Sequence, residues 1–150
     1  MKKRSKRIFI GGIIIIIFII VLLLYFKPLT LSDLVKENQE ILITQVEMGY
    51  EDGKAYTNSK NYNNLTDGQK NNIINLFDQY AYQRTFGTII SNGSLSGLSD
   101  KLIYIFIYEN NELIDTISIS SSGSMSLNDK SYILQNAQEL IAELLAIISK

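Results

Sequence analysis

Few residues of this chain have the side chains that common catalytic and metal sites require. The sequence contains no His and no Cys, which excludes Ser-His-Asp and Cys-His catalysis and metal sites with His or Cys ligands. The densest groups of acids are Glu51-Asp52 and Glu109/Glu112. Both groups fall in predicted turns, where a charged side chain is ordinarily solvated. We therefore predict no catalytic residue, no metal site and no cofactor, and we expect the protein not to be an enzyme.

Serines are concentrated in the run Ser120-Ser121-Ser122-Gly123-Ser124. The run lacks the G-x-S-x-G and S-x-x-K patterns of serine nucleophiles, and it lacks the lysine of a phosphate-binding P-loop. A polar hairpin turn explains the run better. Ser122, in the middle of that turn, is retained as a candidate binding residue.

Arg84 is the only Arg that follows the first seven residues. It lies where a predicted helix gives way to a predicted strand, between Tyr82 and Phe86. A salt bridge or a favourable charge at a helix C-terminus is the ordinary role for such a residue. Contact with a ligand is the alternative, and Arg84 is therefore a second candidate binding residue.

Tyr104 and Tyr108 alternate with isoleucines in the run Leu102–Tyr108. Successive side chains of a strand point to opposite faces, so the two tyrosines share a face with Phe106, and three isoleucines occupy the other face. Burial in the core is one interpretation of the tyrosines. A protein-binding surface is the other, because such surfaces are enriched in Tyr. Tyr104 and Tyr108 complete the set of candidate binding residues.

Residues 8–26 predict a membrane-spanning helix. These 19 consecutive residues carry no charge and include nine Ile, three Leu, three Phe and one Val. A helix of that length rises about 28 Å, close to the ~30 Å hydrocarbon core of a bilayer. The run is longer than a signal-peptide core, and no A-x-A-like cleavage site follows it, because the first Ala is Ala55. We expect an uncleaved signal anchor that contacts the lipid bilayer through residues 8–26.

The orientation of this anchor follows from the basic residues that flank it. Five Lys or Arg precede the run, whereas only Lys27 directly follows it. Positive residues next to a span are retained in the cytoplasm. We therefore expect a protein of the cell membrane with a cytoplasmic N-terminus and an extracellular C-terminus. The predicted organisation is a basic cytoplasmic tip (1–7), the transmembrane helix (8–26), a linker or short helix (27–38) and an extracytoplasmic domain (39–150).

The part of the chain after the anchor is acidic. Residues 28–150 hold eight Lys or Arg against fifteen Asp or Glu, a net charge of −7. Nucleic acids and anionic lipid surfaces attract basic proteins, so we expect no nucleic-acid partner. The absence of Cys means that this exported domain folds without disulfides.

Apolar periodicity after the anchor predicts an α+β fold. Thr66 and Gln69 form a predicted capping box at the start of a helix. Apolar residues over 73–81 lie on one face of that helix. A second amphipathic helix is predicted after Asn136, with Glu139 as its cap partner. Together these elements predict an antiparallel meander packed by two amphipathic helices. The predicted strands are 41–48, 55–57, 84–90, 102–108, 113–120, 124–127 and 131–134, and a Gly/Ser loop is predicted over 91–100.

Several short segments resemble a known family. They are Tyr82-Gln83-Arg84-Thr85-Phe86, the strand and turn Ile117-Ser118-Ile119-Ser120-x-x-Gly123, and Asn128-Asp129-Lys130-Ser131-Tyr132. Over residues 38–149 the chain resembles a family of small membrane-anchored or lipoprotein-like ectodomains of Gram-positive bacteria, catalogued as a domain of unknown function. The resemblance implies a surface α+β domain and supplies no catalytic residues.

The sequence favours a single-pass, membrane-tethered domain that binds a protein or an envelope component outside the cell. One alternative is a small enzyme or enzyme accessory that acts on the cell wall through carboxylates and Arg84. Such a site would gather at least two acids around a cleft that includes Arg84. Another alternative is a regulatory subunit that acts through its transmembrane helix, although Gly11 and Gly12 are adjacent rather than spaced as G-x-x-x-G.

Overall fold

The chain after residue 28 forms one antiparallel sheet with helices packed on it. The computed structural model describes residues 2–36, 38–90 and 101–149, with side chains from residue 11 onward. This architecture confirms the predicted α+β class with an antiparallel sheet. The described elements are α1 (Lys2–Tyr25), β1 (Leu29–Thr30), a 3-10 helix (Leu31–Leu34), β2 (Glu40–Glu51), β3 (Lys54–Tyr62), α2 (Asp67–Phe77), β4 (Ala81–Arg84), α3 (Phe86–Ile90), β5 (Lys101–Glu109), β6 (Glu112–Ser120), β7 (Ser124–Leu127), β8 (Lys130–Leu134) and α4 (Ala137–Ile148).

The sheet has eight strands in the order β1-β4-β8-β7-β6-β5-β2-β3. Strands β5 to β8 form a meander, as predicted, and β2 and β3 form a hairpin across the predicted turn at Glu51-Asp52. Three hairpins have two-residue loops, whose residues take positive φ so that the twist of the loop matches the twist of the strands. These loops are Asp52-Gly53, Asn110-Asn111 and Asn128-Asp129.

The core lies between one face of the sheet and helices α2 and α4. Isoleucines at alternate positions of β2, β5 and β6 point to this face and are at most 1% exposed. They join one buried cluster with the apolar faces of both helices, as the amphipathic pattern of those helices predicts. The strand members are Ile41, Ile43, Ile103, Ile105, Ile107, Ile117 and Ile119, and the helix members include Ile73, Phe77, Leu140, Ile141 and Leu144.

Helix α2 begins at the predicted capping box. The Thr66 hydroxyl accepts a hydrogen bond from the Gln69 backbone N–H (3.2 Å), and the Gln69 side-chain oxygen accepts one from the Thr66 backbone N–H (2.9 Å). The helix is shorter than the predicted apolar face, because it ends at Phe77. Tyr80 is buried beyond the helix end, and Ala81 already belongs to β4.

Residues 29–35 form part of the folded domain. Of the two structures predicted within 27–38, a linker or a short helix, the short helix is present as the 3-10 helix Leu31–Leu34. Leu29 and Thr30 pair with β4, and the Leu31 N–H donates to the Tyr80 carbonyl (3.1 Å). Leu31 and Val35 are 0% and 4% exposed in the core. The prediction missed strand β1, because the strand is two residues long and depends on pairing with a distant strand.

The predicted strand over 84–90 is wrong for most of its length. Strand β4 ends at Arg84, and residues 86–90 form the short helix α3. Thr85 and Thr88 explain this start, since the backbone N–H of each donates to the hydroxyl of the other (2.8 and 3.3 Å). The predicted Gly/Ser loop over 91–100 lies outside the described residues.

Helix α4 begins after Asn136, as predicted, but the predicted side-chain cap is absent. Asn136 adopts a left-handed conformation (φ 53°), and its side chain makes no capping hydrogen bond. Its carbonyl instead accepts from the Leu140 N–H (3.0 Å), the first bond of the helix. A left-handed residue does not present its side chain to the first turn as an extended N-cap does.

Helix α1 contains most of the predicted spanning run. Its large apolar side chains between Ile13 and Leu24 include eleven that are 43–70% exposed. In the part of the chain that the structure describes, no helix is long and apolar enough to cross a membrane. The anchor, its orientation and the cellular location therefore stay predictions.

The capping box gives the first testable prediction. We expect Thr66→Ala to lower the free energy of unfolding by about 0.5–2 kcal/mol, because the Gln69 N–H loses its acceptor. Thr66→Ser keeps the hydroxyl and should stay close to the parent protein. Urea unfolding of the full chain in detergent micelles, followed by tyrosine fluorescence, measures both variants. Equal losses in the two variants would contradict a capping role.

Candidate binding surface

Strand β5 places a row of aromatic side chains on the side of the sheet that faces away from the core. Ile103, Ile105 and Ile107 are 0% exposed in the core, whereas Tyr104, Phe106 and Tyr108 alternate with them and are half-buried. On β2, Leu42 lies opposite Phe106 and Val46 opposite Leu102, so the row continues across two strands. We call the six residues of this row the aromatic stripe: Leu42, Val46, Leu102, Tyr104, Phe106 and Tyr108.

The aromatic stripe takes no part in the buried core. Among the residues that the structure describes, none of its six members belongs to the core cluster or to the partly buried residues packed against that cluster. Both interpretations of Tyr104 and Tyr108 were open from the sequence, and the structure places the two tyrosines outside the core. Their predicted role in binding stays a prediction.

Polar residues border the middle of the aromatic stripe on both long sides. On the β3 side, the Thr44 hydroxyl donates to the Asn61 side-chain oxygen (2.9 Å). On the β6 side, Thr116 lies opposite Phe106 and Ser118 lies opposite Tyr104. At the end of the stripe, the exposed Leu113 lies opposite Tyr108. An apolar centre with a polar rim is the usual arrangement of a protein interface.

Arg84 contacts the end of α1. Its guanidinium donates to the Tyr25 carbonyl (3.2 Å) and lies over the Tyr25 ring, 5.2 Å from the ring centroid. The neighbouring Gln83 side chain donates to the Phe26 carbonyl (2.8 Å). The last carbonyls of a helix lack partners within the helix, and a positive charge there is favourable. Arg84 therefore acts as a helix C-terminal charge, on α1 rather than on the helix that precedes it in sequence.

Ser122 lies in the turn between β6 and β7. Its hydroxyl is 2.7 Å from the Ser120 hydroxyl, and its backbone N–H donates to the same Ser120 oxygen (3.2 Å). Gly123 follows with φ 93°, and its N–H donates to the Ser120 carbonyl (3.0 Å). These bonds form the polar hairpin turn that the sequence predicts.

The structure does not gather the four candidate binding residues into one site. Tyr104 and Tyr108 share one side of β5. Arg84 is on β4, and three strands separate β4 from β5 in the sheet. Ser122 lies beyond the end of β6. The sequence also missed the part of the aromatic stripe on β2. Leu42 stands between two buried isoleucines and Val46 between Gln45 and Glu47, and the pairing of β2 with β5 was not visible.

The acidic groups do not converge on Arg84. Glu51-Asp52 and Glu109/Glu112 lie at the ends of two hairpins, as predicted. The described residues contain no group of three or more acids that could hold a metal ion.

No family model, curated protein or solved structure matches the chain. The resemblance to the Gram-positive ectodomain family therefore stays a prediction.

Tyr82 lies two residues before Arg84 and is buried at 4% exposure. Burial raises the pKa of its phenol above the ordinary 10.0, the nearby Tyr132 raises it further, and Arg84 partly opposes the rise. The two tyrosine rings contact each other edge-on, with centroids 5.2 Å apart. In the folded protein Tyr82 therefore holds its proton at a pH where an unfolded chain would release it.

This raised pKa predicts a loss of stability in alkali. A raised folded pKa leaves stability intact below pH 10.0, and stability falls as the pH rises from there through the folded pKa. We expect Tyr82→Phe to reduce the slope of that fall, measured by urea unfolding between pH 9 and pH 11 (about one pH unit on each side of the ordinary pKa). Tyr50→Phe, at an 82% exposed position, is the control. Parallel curves for the parent protein and Tyr82→Phe would refute this assignment.

The two sides of β5 give a paired stability prediction. We expect Ile105→Ala to lower the free energy of unfolding by about 2–5 kcal/mol, because it opens a cavity in a fully buried site. We expect Phe106→Ala to cost about 1 kcal/mol or less, the scale of a cross-strand pair. Urea unfolding of both variants checks this difference. Equal losses would show that the aromatic stripe is part of the stabilising core.

Proposed function

We propose that this chain is a single-pass membrane protein whose extracytoplasmic domain binds a protein or an envelope component through the aromatic stripe. The N-terminus lies in the cytoplasm and the domain lies outside the cell. The protein is a binding module rather than an enzyme. The observation that carries the binding role is the position of Tyr104, Phe106 and Tyr108 outside the core.

Membrane anchoring is supported by the sequence of residues 8–26. These 19 consecutive residues carry no charged side chain. The side chains of α1 that are described are largely exposed, as those of a helix surrounded by lipid are. The five basic residues before the run support a cytoplasmic N-terminus.

Binding through the aromatic stripe is supported by its composition and its border. Three aromatic side chains stand in a row on β5, Leu102 continues the row along the same strand, and Leu42 and Val46 extend it onto β2. Aromatic anchors contribute much of the binding energy of protein interfaces, above all where polar neighbours exclude water around them. Since the core does not use these side chains, a bound partner gives a reason for their presence.

The contacts of Arg84 favour this proposal over a cell-wall enzyme that uses Arg84. Its guanidinium is bonded to the Tyr25 carbonyl and stacked on the Tyr25 ring. Because both contacts engage Arg84 with α1, they give no support to a role for Arg84 beside a pair of catalytic acids. An experiment distinguishes this proposal from a regulatory role of the transmembrane helix. Exchanging residues 8–26 for an unrelated anchor would abolish such a regulatory role and leave the aromatic stripe intact.

In-cell photocrosslinking tests the binding role. A photoreactive residue at Tyr104 or Tyr108 should capture one reproducible partner, identified by mass spectrometry, because both positions lie in the proposed interface. The matched control is Tyr56 on β3, which is 46% exposed and, by its register with Gly49, on the opposite side of the sheet. Phe106→Ser should reduce the capture. Additional probes at Arg84 and Ser122 report whether the contact reaches those residues.

Two results would count against the binding role. One is the absence of any partner from both stripe positions. The other is capture of the same proteins in equal amounts from Tyr56, which would indicate random collision.

A further inference from the structure

The end of α1 lies beside the end of β4 and the start of the short helix α3. Side chains of Gln83 and Arg84, the last two residues of β4, donate to the carbonyls of Phe26 and Tyr25. The Phe26 and Phe86 rings are in edge contact, with centroids 5.0 Å apart. These contacts place α3 beside the point where the apolar run of α1 ends.

Helix α3 presents large apolar side chains to its surroundings. Phe86 is 69% exposed, Ile89 is 63% exposed and Ile90 is 82% exposed. Thr88 faces the other way, since it is 6% exposed and its hydroxyl donates to the Ser131 carbonyl. That bond fixes the rotation of α3, so the exposed apolar surface is a built feature. We call Phe86, Ile89 and Ile90 the α3 patch.

We propose that the α3 patch inserts into the outer interface of the bilayer beside α1, so that the domain contacts lipid at a second place. This inference rests on the proposed membrane anchoring. The contact of Phe86 with Phe26 makes the α3 patch continuous with the apolar end of α1. Five helical residues rise roughly 6 Å, so the whole patch stays within the 5–10 Å depth at which interfacial helices insert.

The chemistry of the neighbouring residues favours lipid as the occupant. Tyr25 and Phe26 contact each other at the end of the apolar run, where aromatic side chains commonly mark the boundary of the hydrocarbon region. Lys27 follows them and is exposed, as a residue beside lipid phosphates would be. The rest of the domain carries a net charge of −7, so general attraction to an anionic surface does not supply the contact. The apolar side chains of the α3 patch supply the contact by inserting into the bilayer interface.

Single tryptophans report the depth of each position, because the natural chain contains none. The full chain, carrying Phe86→Trp or Ile90→Trp, is reconstituted in phosphatidylcholine vesicles with bromines on the upper part of the acyl chains. Ile16→Trp in α1 is the reference for the anchor. Tyr50→Trp is the matched control, because Tyr50 and Ile90 are both 82% exposed and Tyr50 lies on the opposite half of the sheet.

We expect bromolipid to quench the F86W and I90W proteins and to leave the Y50W protein unquenched. If I16W is quenched while F86W and I90W behave like Y50W, the α3 inference is overturned and the anchor stands. If I16W is not quenched, the proposed anchoring itself fails. A blue shift of F86W in native membranes but not in lipid vesicles would indicate a protein partner and overturn lipid insertion.

A second variant tests the contact that positions α3. Arg84→Gln in the F86W protein removes the charge on the Tyr25 carbonyl, and we expect quenching of F86W to fall while that of I16W is retained. Unchanged quenching would show that Arg84 does not position α3 at the bilayer.

Discussion

The structure depends on the exclusion of water from one face of the sheet. Three isoleucines of β5 are fully buried, with isoleucines of β2 and β6 on either side, and helices α2 and α4 cover them. Alternation within a strand then sends every second side chain to the opposite face. An antiparallel sheet with one face packed on the core usually carries polar residues on its other face. This chain does so on β6 with Thr116 and Ser118, but it places Tyr104, Phe106 and Tyr108 on β5.

Local chemistry made much of the fold predictable from the sequence. The hairpins were readable because Asp52-Gly53 and Asn128-Asp129 tolerate positive φ, and the start of α2 was readable because both partners of its capping box lie within four residues. What failed depended on distant partners or on backbone conformation. Strand β1 exists only by pairing with β4, and Asn136 has the residue type of a cap but the wrong φ.

The same division holds for the candidate site. The sequence showed that Tyr104 and Tyr108 share a face, since that follows from a period of two. It did not show that Leu42 and Val46 extend the stripe, because strand pairing is not visible in one chain segment. Arg84 was noticed for its rarity, yet its partner, Tyr25, is 59 residues away. The predicted role as a helix C-terminal charge is present, but on α1 rather than on the helix that precedes Arg84 in the sequence.

The short distance between α1 and the sheet restricts where the protein can act. Helix α1 ends at Tyr25 and β1 begins at Leu29, so the domain has no stalk. Seven strand spacings of about 4.8 Å give the sheet a width of roughly 35 Å, and the 12 residues of β2 give its longest strand a length of roughly 40 Å. Under the proposed anchoring, the domain therefore reaches only a few tens of ångströms, on the order of these lengths, above the bilayer. A partner embedded in the same membrane is then met by lateral diffusion in two dimensions, whereas a partner deep in a thick envelope would stay beyond reach.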